Sequence, residues 1–500
     1  MGKLTKLAGE TAIYGLSSII GRAINFILVP FYTTASILSV VDNGVLIEMY
    51  AIAAFLNIVY LFGMETAYFR FVSKNPAGSS DVYNTAFTYI FISSILLSGI
   101  FALSATPIAN WLEFPGRNEL IYWFAAILGI DAIVSIPFAR LRYEKKAIKF
   151  ATIKLINIFL NVALNVFFLY FCKNVYHGNF LVAFQPFVDL IYNPNYGVEY
   201  VFISNLIANF MYLPLLARSL ARTKIYFDLQ LIKPMFYYAL PLMVMGLAGV
   251  TNEMFSRSLL KKLLPDDFYP GRTAREALAI FGNCYKLSLF MSLAIQAFRY
   301  AAEPFFFAQT LEKDTKQTYA NVFYYFVIFG LFAVLAISLN LDILKVIFLR
   351  NPVYWEGLHV VPVLLFANFF LGLYYNFSIW YKVTDKTIVG TIISVTAAVA
   401  TLLLNIWLIP LAGYEGSSYI TLAVYLGMAI AAYLLGQKSY PVPYNVKKAG
   451  FYLLFTLALL LLGLNLKIEH TIYNQIFKEL LIVVFLLVVF FQEINPKIKS

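Results

Sequence analysis

Residues 387–414 read TIVGTIISVTAAVATLLLNIWLIPLAGY and contain no Asp, Glu, Lys or Arg. After Glu415, residues 416–437 read GSSYITLAVYLGMAIAAYLLGQ, again without a charged side chain. A helix of about 20 apolar residues spans the hydrocarbon core of a bilayer. The two stretches therefore predict a pair of consecutive transmembrane helices joined by a turn near Glu415.

The composition of the whole chain extends this prediction. Hydrophobic residues make up 61% of the 500 residues and charged residues only 13%, against about 25% charged in soluble proteins. The chain is predicted to be an all-α polytopic membrane protein with about fourteen helices and little water-soluble mass. The predicted spans are 11–36, 44–71, 83–105, 119–141, 150–172, 199–221, 235–260, 278–307, 318–341, 357–381, 387–411, 416–437, 449–466 and 472–492.

The distribution of Lys and Arg predicts the orientation. If the amino terminus is cytoplasmic, the inside segments hold twice as many Lys and Arg as the outside loops, which satisfies the positive-inside rule. Both termini are therefore predicted to be cytoplasmic. The net charge of +11 is accounted for by this topology, and nucleic-acid binding is not needed to explain it. One outside segment, 257–277, is also basic, and is either a solvated loop or an electropositive mouth.

A weak internal repeat suggests how the helices are grouped. Residues 142–171 and 382–411 align without a gap, with Lys146 and Asn165 matching Lys386 and Asn405. Parallel repeats related by an axis along the membrane normal are a known transporter plan, although two apolar helices can also match by chance. The predicted domains are an N-lobe of helices 1–6, a linker, a C-lobe of helices 7–12 and two C-terminal helices: 1–221, 222–234, 235–437 and 438–500.

Several short motifs, in order and at particular helix positions, resemble one family over nearly the whole chain. They are Tyr14-Gly15-Leu16-Ser17-Ser18, Gly21-Arg22, Pro30-Phe31-Tyr32-Thr33, Gly63-Met64-Glu65-Thr66-Ala67-Tyr68-Phe69-Arg70-Phe71, Arg299-Tyr300-Ala301-Ala302-Glu303-Pro304 and Asn405-Ile406-Trp407-Leu408-Ile409-Pro410 with Gly413 and Gly416. This pattern is similar to bacterial oligosaccharide and O-antigen flippases of the Wzx type, polysaccharide biosynthesis proteins related to MATE exporters and lipid II flippases in the MOP superfamily.

The resemblance implies a fold and a function. The expected fold has two pseudo-symmetric six-helix lobes around a V-shaped cavity lined by helices 1, 2, 7 and 8, plus two C-terminal helices. The expected activity moves a polyprenyl-pyrophosphate-linked oligosaccharide from the cytoplasmic to the outer leaflet of the bacterial inner membrane, by alternating access. The expected partners are this glycolipid, membrane lipids, and the polymerase and glycosyltransferases of a surface-polysaccharide or lipopolysaccharide pathway.

Charges inside the spans are the candidate site residues, because a buried charge costs about 2.5–3.5 kcal/mol on insertion scales and so faces a cavity or a partner. Ser18, Arg22 and Asn25 lie on one polar face of helix 1, where Arg22 either binds sugar or phosphate or pairs with a carboxylate. Gln296 and Arg299 lie on one stripe of helix 8. These five residues are the predicted substrate-binding set.

Five carboxylates are candidates for ion coupling or gating: Glu48, Glu65, Asp131, Glu253 and Glu303. Each also has a purely structural alternative. Glu303 and Glu253 lie one turn from an arginine, and Asp131 lies outside the helices expected to line the cavity, which favours a partner within or between lobes. Coupling to a proton or sodium gradient is expected, whereas no cofactor, metal site or catalytic residue is predicted.

Two other functions remain open. A MATE-type drug or cation exporter shares the expected architecture, but a basic first helix with Arg22 is unfavourable for cationic drugs. A membrane enzyme such as a polymerase, ligase or acyltransferase needs a catalytic cluster, and the longest outside loop, 173–198, has no recognisable one. No Walker A sequence is present, so ATP hydrolysis by this chain is not expected to drive transport.

Overall fold

The computed structural model describes residues 26–74, 78–309, 315–384, 386–466 and 470–494, which are helical with no strand among them. The fourteen predicted spans correspond to helices α1, described over 26–32; α2, Val40–Leu61 continuing as Met64–Lys74; α3, Ser79–Leu103; α4, Asn118–Tyr143; α5, Ala147–Val166; α6, Glu199–Phe210; α7, Leu229–Val250; α8, Ala274–Gln309; α9, Thr315–Leu339; α10, Val360–Phe377; α11 and α12, the two halves of Thr387–Ser439; α13, Val446–Asn465; and α14, Thr471–Val489.

Ten of the described helical segments are long and apolar enough to cross a membrane. The predicted total of fourteen is compatible with this number. The continuous segment Ile388–Ser439 counts once although it contains α11 and α12, and α1, α6 and α8 are not among the ten. The predicted all-α membrane fold is confirmed.

Polar side chains start several helices. Ser39 Oγ accepts a hydrogen bond of 3.0 Å from the backbone N–H of Asp42 at the start of α2. Asp228 Oδ1 accepts from the N–H of Gln230 at 2.8 Å before α7, and Asn445 Oδ1 accepts from that of Lys448 at 3.1 Å before α13. Such caps satisfy amide groups that the first helical turn leaves without partners.

Two breaks have local causes. In the long α11–α12 segment, Ala412 and Gly413 leave helical geometry, and Gly413 has φ +49°, which glycine adopts without strain. This break agrees with the predicted turn before Glu415. In α2, Phe62 and Gly63 have φ of 50° and 69°. A Cβ atom on Gly63 would lie 2.9 Å from the carbonyl oxygen of Ala239 in α7, so a glycine lets α2 bend closely against α7.

Contacts divide the chain into two compact units, Met1–Met254 and Phe255–Ser500. The first unit contains α7, which the predicted division places in the C-lobe. That predicted division rests on the internal repeat and on the family resemblance, and it stays a prediction.

Each unit is built around one strongly buried helix. In the first unit this helix is α4, in which 67% of the most apolar window is buried, and α2, α3, α5 and α6 contact it. In the second unit it is α10, with 72% of its window buried, and α8, α9 and the α11–α12 segment contact it. These central helices hold the polar side chains considered next away from lipid.

Candidate functional site: polar and charged clusters within the helices

The predicted substrate-binding residues lie outside the described part of the chain. Ser18, Arg22 and Asn25 precede the first described residue, and the side chains of Gln296 and Arg299 are not described. The same holds for the side chains of two predicted coupling residues, Glu253 and Glu303. Their roles stay predictions. Glu48, Glu65 and Asp131 are described.

Asp131 lies in a polar cluster formed by three helices of the first unit. Asn209 of α6 donates from Nδ2 to Asp131 Oδ1 at 3.1 Å. Asn157 of α5 donates in turn from Nδ2 to Asn209 Oδ1 at 3.1 Å. Asn157 and Asn209 are 8% and 4% exposed, so this hydrogen-bond chain ties α4, α5 and α6 together inside the unit.

Lys154 supplies the positive charge of this cluster. It interacts electrostatically with Asp131, and its ammonium nitrogen donates to the hydroxyl of Tyr212 at 3.4 Å. The nitrogen also lies 4.4 Å from the centre of the Phe138 ring and 5.1 Å from that of Tyr212, a geometry in which ring electrons attract a cation. Lys154 therefore supplies a compensating charge for Asp131 within the first unit, and the role of Asp131 stays a prediction.

Glu48 and Glu65, both in α2, differ strongly in their surroundings. Glu48 is 2% exposed and interacts with neighbouring groups. A carboxylate buried to this extent needs such interactions to offset its loss of hydration. Glu65 follows the break in α2 and forms an ion pair with Arg142 at the end of α4. The side chains of Glu65 and Arg142 are 34% and 37% exposed, so this pair is only partly buried.

The surroundings of the Glu65–Arg142 pair are aromatic and basic. The guanidinium of Arg142 lies 4.8 Å from the centre of the Phe69 ring, and that of Arg70 lies 4.2 Å from the Tyr238 ring of α7. The pair thus lies where α2 and α4 end, on the predicted cytoplasmic side. It links the segment of α2 beyond the bend at Gly63 to the end of α4.

The two halves of the predicted repeat make the same local bond. Asn165 in α5 donates from Nδ2 to the carbonyl of Asn161 at 2.8 Å, and Asn405 in α11 donates to the carbonyl of Thr401 at 2.7 Å. Both side chains are fully buried. Each oxygen accepts from another helix: Tyr32 in the first unit and Ser417 in the second.

The second unit has its own buried polar groups. In α8, Ser292 Oγ donates to Asn368 Oδ1 in α10 at 3.1 Å. Lys286 donates to Asn283 Oδ1, one turn earlier in the same helix, at 3.1 Å. The guanidinium of Arg257 lies 4.0 Å from the Tyr285 ring. In the part of the chain that the structure describes, no three His, Cys, Asp or Glu side chains form a metal-binding group.

Three members of the first-unit cluster were not singled out from the sequence: Lys154, Asn157 and Asn209. A signal was present, because Lys154 is the one Lys or Arg within the predicted span 150–172. Lys154, Asn157, Asn161 and Asn165 are spaced three, four and four residues apart, which places them on one face of a helix. The sequence does not show that Asp131 and Asn209 face them.

A family profile described as "Polysaccharide biosynthesis protein" matches residues 34–183. No curated protein matches the chain. Among solved structures, the lipid II flippase MurJ in an inward closed conformation is 12% identical, over 96% of this chain and 99% of that chain, with a TM-score of 0.71. An inward-facing multidrug resistance MATE family transporter of the MOP superfamily is 14% identical over 86% and 94%, with a TM-score of 0.61. An outward-facing one is 14% identical over 86% and 95%, with a TM-score of 0.56. The predicted MATE-like fold is confirmed, and residues 34–183 resemble polysaccharide biosynthesis proteins, as predicted.

Proposed function

We propose that this protein is a flippase that carries a polyprenyl-pyrophosphate-linked oligosaccharide from the cytoplasmic to the outer leaflet of a bacterial inner membrane. The observation that carries the proposal is the match of residues 34–183 to polysaccharide biosynthesis proteins. The structural alignment with a lipid II flippase also covers 96% of the chain, whereas the alignment with a MATE transporter covers 86%. Glycosyltransferases would supply the substrate and a polymerase would use it.

The physical task of such a protein agrees with polar groups held inside apolar helices. A glycan and a pyrophosphate cannot cross hydrocarbon, where each unsatisfied polar group costs several kcal/mol. The polyprenyl tail can remain in the bilayer. The proposed passage is lined by Ser18, Arg22, Asn25, Gln296 and Arg299, whose cations and amides would replace part of the hydration of the sugar and phosphate.

The Glu65–Arg142 ion pair is proposed as a gate on the cytoplasmic side. It joins α2, which bends at Gly63, to the central helix α4, and it is only partly buried. A pair of this kind can open and close at modest cost, because solvent compensates the separated charges. In this proposal the first unit admits substrate when the pair is open.

Charge reversal tests the gate. Glu65→Arg and Arg142→Glu are each expected to abolish export, because like charges then face each other, whereas the double exchange restores part of it. Protein amount and membrane insertion are measured in every variant. Full export by both single variants would refute the gate, and so would a double variant no better than either single one when all are inserted normally.

The transport proposal is tested by sided analysis of polyprenyl-linked oligosaccharides in cells lacking the gene. An impermeant glycosidase added to spheroplasts reports which leaflet holds the glycan. Accumulation in the inner leaflet is expected without the gene, relieved by the wild type and by Lys149→Ala, an exposed control on α5, but not by Arg22→Ala. An unchanged leaflet distribution, with no second flippase expressed, would refute the proposal.

A MATE-type exporter is the second candidate, favoured by the TM-score of 0.61 to a multidrug transporter. Growth and efflux in the presence of cationic dyes, with and without the gene, separate the two functions. We expect no gene-dependent dye resistance. For either function, coupling to a proton or sodium gradient through the intramembrane carboxylates is proposed. Among the described carboxylates, Asp131 interacts with Lys154 and Glu65 with Arg142.

A further inference from the structure

An apolar cavity of about 190 Å³ opens in the second unit among α9, α10, α12 and α13. Its walls include Phe323, Phe370, Ile430 and Leu453. Gly450 of α13 also lines it and leaves space, since a Cβ atom there would meet nothing within 4 Å. The absence of a side chain at Gly450 therefore adds to the space between α13 and the other three helices.

The apolar lining of this cavity is unfavourable for an ordered water molecule. A buried water makes about three hydrogen bonds to polar groups, and the cavity wall is built from apolar side chains. An unfilled space would forfeit the dispersion contacts of the wall atoms. The wall residues Ile430 and Val446 are 48% and 42% exposed, and they belong to helices that span the membrane. At the exposed surface next to Ile430 and Val446, the hydrocarbon that can enter the cavity is a lipid acyl chain.

Aromatic rings pack at one end of the cavity, and two lysines lie close in sequence to its wall residues. The ring of Tyr444 lies 4.9 Å from that of Phe323 and 5.1 Å from that of Phe377. Lys447 is exposed beside the wall residue Val446. Lys316 lies two turns before Phe323 on α9, its ammonium nitrogen 4.7 Å from the Tyr440 ring. Lysines at a membrane surface attract anionic lipid headgroups.

We propose that this cavity binds one acyl chain of an anionic phospholipid, whose headgroup lies at Lys447 and Lys316. In the predicted orientation this lipid belongs to the cytoplasmic leaflet. None of the cavity's lining residues belongs to the predicted substrate-binding set, and the test of this site does not depend on transport. It would hold α13 against the rest of the second unit through a lipid chain.

The experiment uses the full-length protein in nanodiscs that contain phosphatidylglycerol with a diazirine on its acyl chain. After photolysis, peptide mapping locates the adducts. We expect adducts at Phe370 and Leu453 in the wild type. Gly450→Leu fills the cavity and should abolish them, whereas Gly427→Leu should leave them unchanged, because Gly427 does not line the cavity and a Cβ atom there also meets nothing within 4 Å.

Headgroup selectivity is tested in parallel. Lys447→Gln is expected to lower the adduct yield with phosphatidylglycerol to that of a phosphatidylcholine probe, whereas Lys149→Gln, on an exposed position of α5, should have no effect. Equal adducts in the Gly450→Leu and Gly427→Leu proteins would overturn the proposal. Competition by a polyprenyl phosphate but not by unlabelled phosphatidylglycerol would assign the cavity to a different lipid, and this result would also overturn it.

Discussion

Replacing Lys154 with methionine removes the cation of the first-unit cluster while keeping a long apolar side chain between the Phe138 and Tyr212 rings. Breaking a fully buried ion pair from one side costs about 3–5 kcal/mol, whereas a single hydrogen bond between membrane helices averages only about 0.6 kcal/mol. The side chains of Lys154 and Asp131 remain partly accessible. We therefore expect Lys154→Met to lower the free energy of unfolding by about 2 kcal/mol, which is less than the cost for a fully buried pair. The free energy of unfolding is measured in mixed micelles.

A double-variant cycle separates the electrostatic interaction between Lys154 and Asp131 from simple packing. If the two charges stabilise each other, Asp131→Asn with Lys154→Met costs at least about 1 kcal/mol less than the sum of the single variants. Lys149→Met, on the exposed side of α5, is the matched control and should be neutral within about 0.5 kcal/mol. Strict additivity of the two substitutions would refute the reasoning, because it would show that Lys154 does not compensate Asp131.

Three further outcomes are expected, and thermal unfolding of the full-length protein measures each of them. Gly63→Ala should lower the free energy of unfolding by at least about 1 kcal/mol, because φ is positive there and the new Cβ atom meets α7. Gly99→Ala is its control, because a Cβ atom at Gly99 meets nothing within 4 Å. Equal effects of the two substitutions would contradict this account. Asn405→Leu should cost about 1 kcal/mol by removing a bond between α11 and α12, and unchanged stability would contradict the assigned contact. The hydrogen bond with Glu415 raises the pKa of His359. As long as Glu415 is ionised, the stability from this pair is therefore fully present below about pH 6.5 and is lost as the pH rises through the raised pKa of His359, a dependence that His359→Gln should remove.

The helices could be predicted from the sequence, because a membrane span needs an apolar stretch of fixed minimum length, and that requirement is local. The α11–α12 turn shows this clearly: Glu415 separates two charge-free runs, and the helix breaks just before it, at Ala412 and Gly413. The bend in α2 was not predicted, because a glycine inside an apolar run is equally compatible with a continuous helix. Its positive φ arises from the approach of α7, which is a tertiary contact.

The first-unit cluster shows the corresponding limit for site residues. Asp131 could be singled out as an intramembrane charge, and an intralobe partner was one of its two interpretations. Identifying Lys154 as that partner requires the rotation of α4 relative to α5, which depends on how both helices pack with α6. Asn209 joins the cluster for the same reason. The sequence alone does not distinguish an asparagine that joins two helices by hydrogen bonds from one that lies on the surface of an apolar helix.

The pairing of Asp131 with Lys154 also has an electrical consequence. Moving one elementary charge through a membrane potential takes about 2.3 kcal/mol per 100 mV. A carboxyl and an amine that keep one proton between them sum to zero, whichever of the two holds it. The cluster would therefore add no gating charge when the first unit changes conformation. Any dependence of transport on voltage would have to arise from the substrate phosphates or from charges elsewhere in the chain.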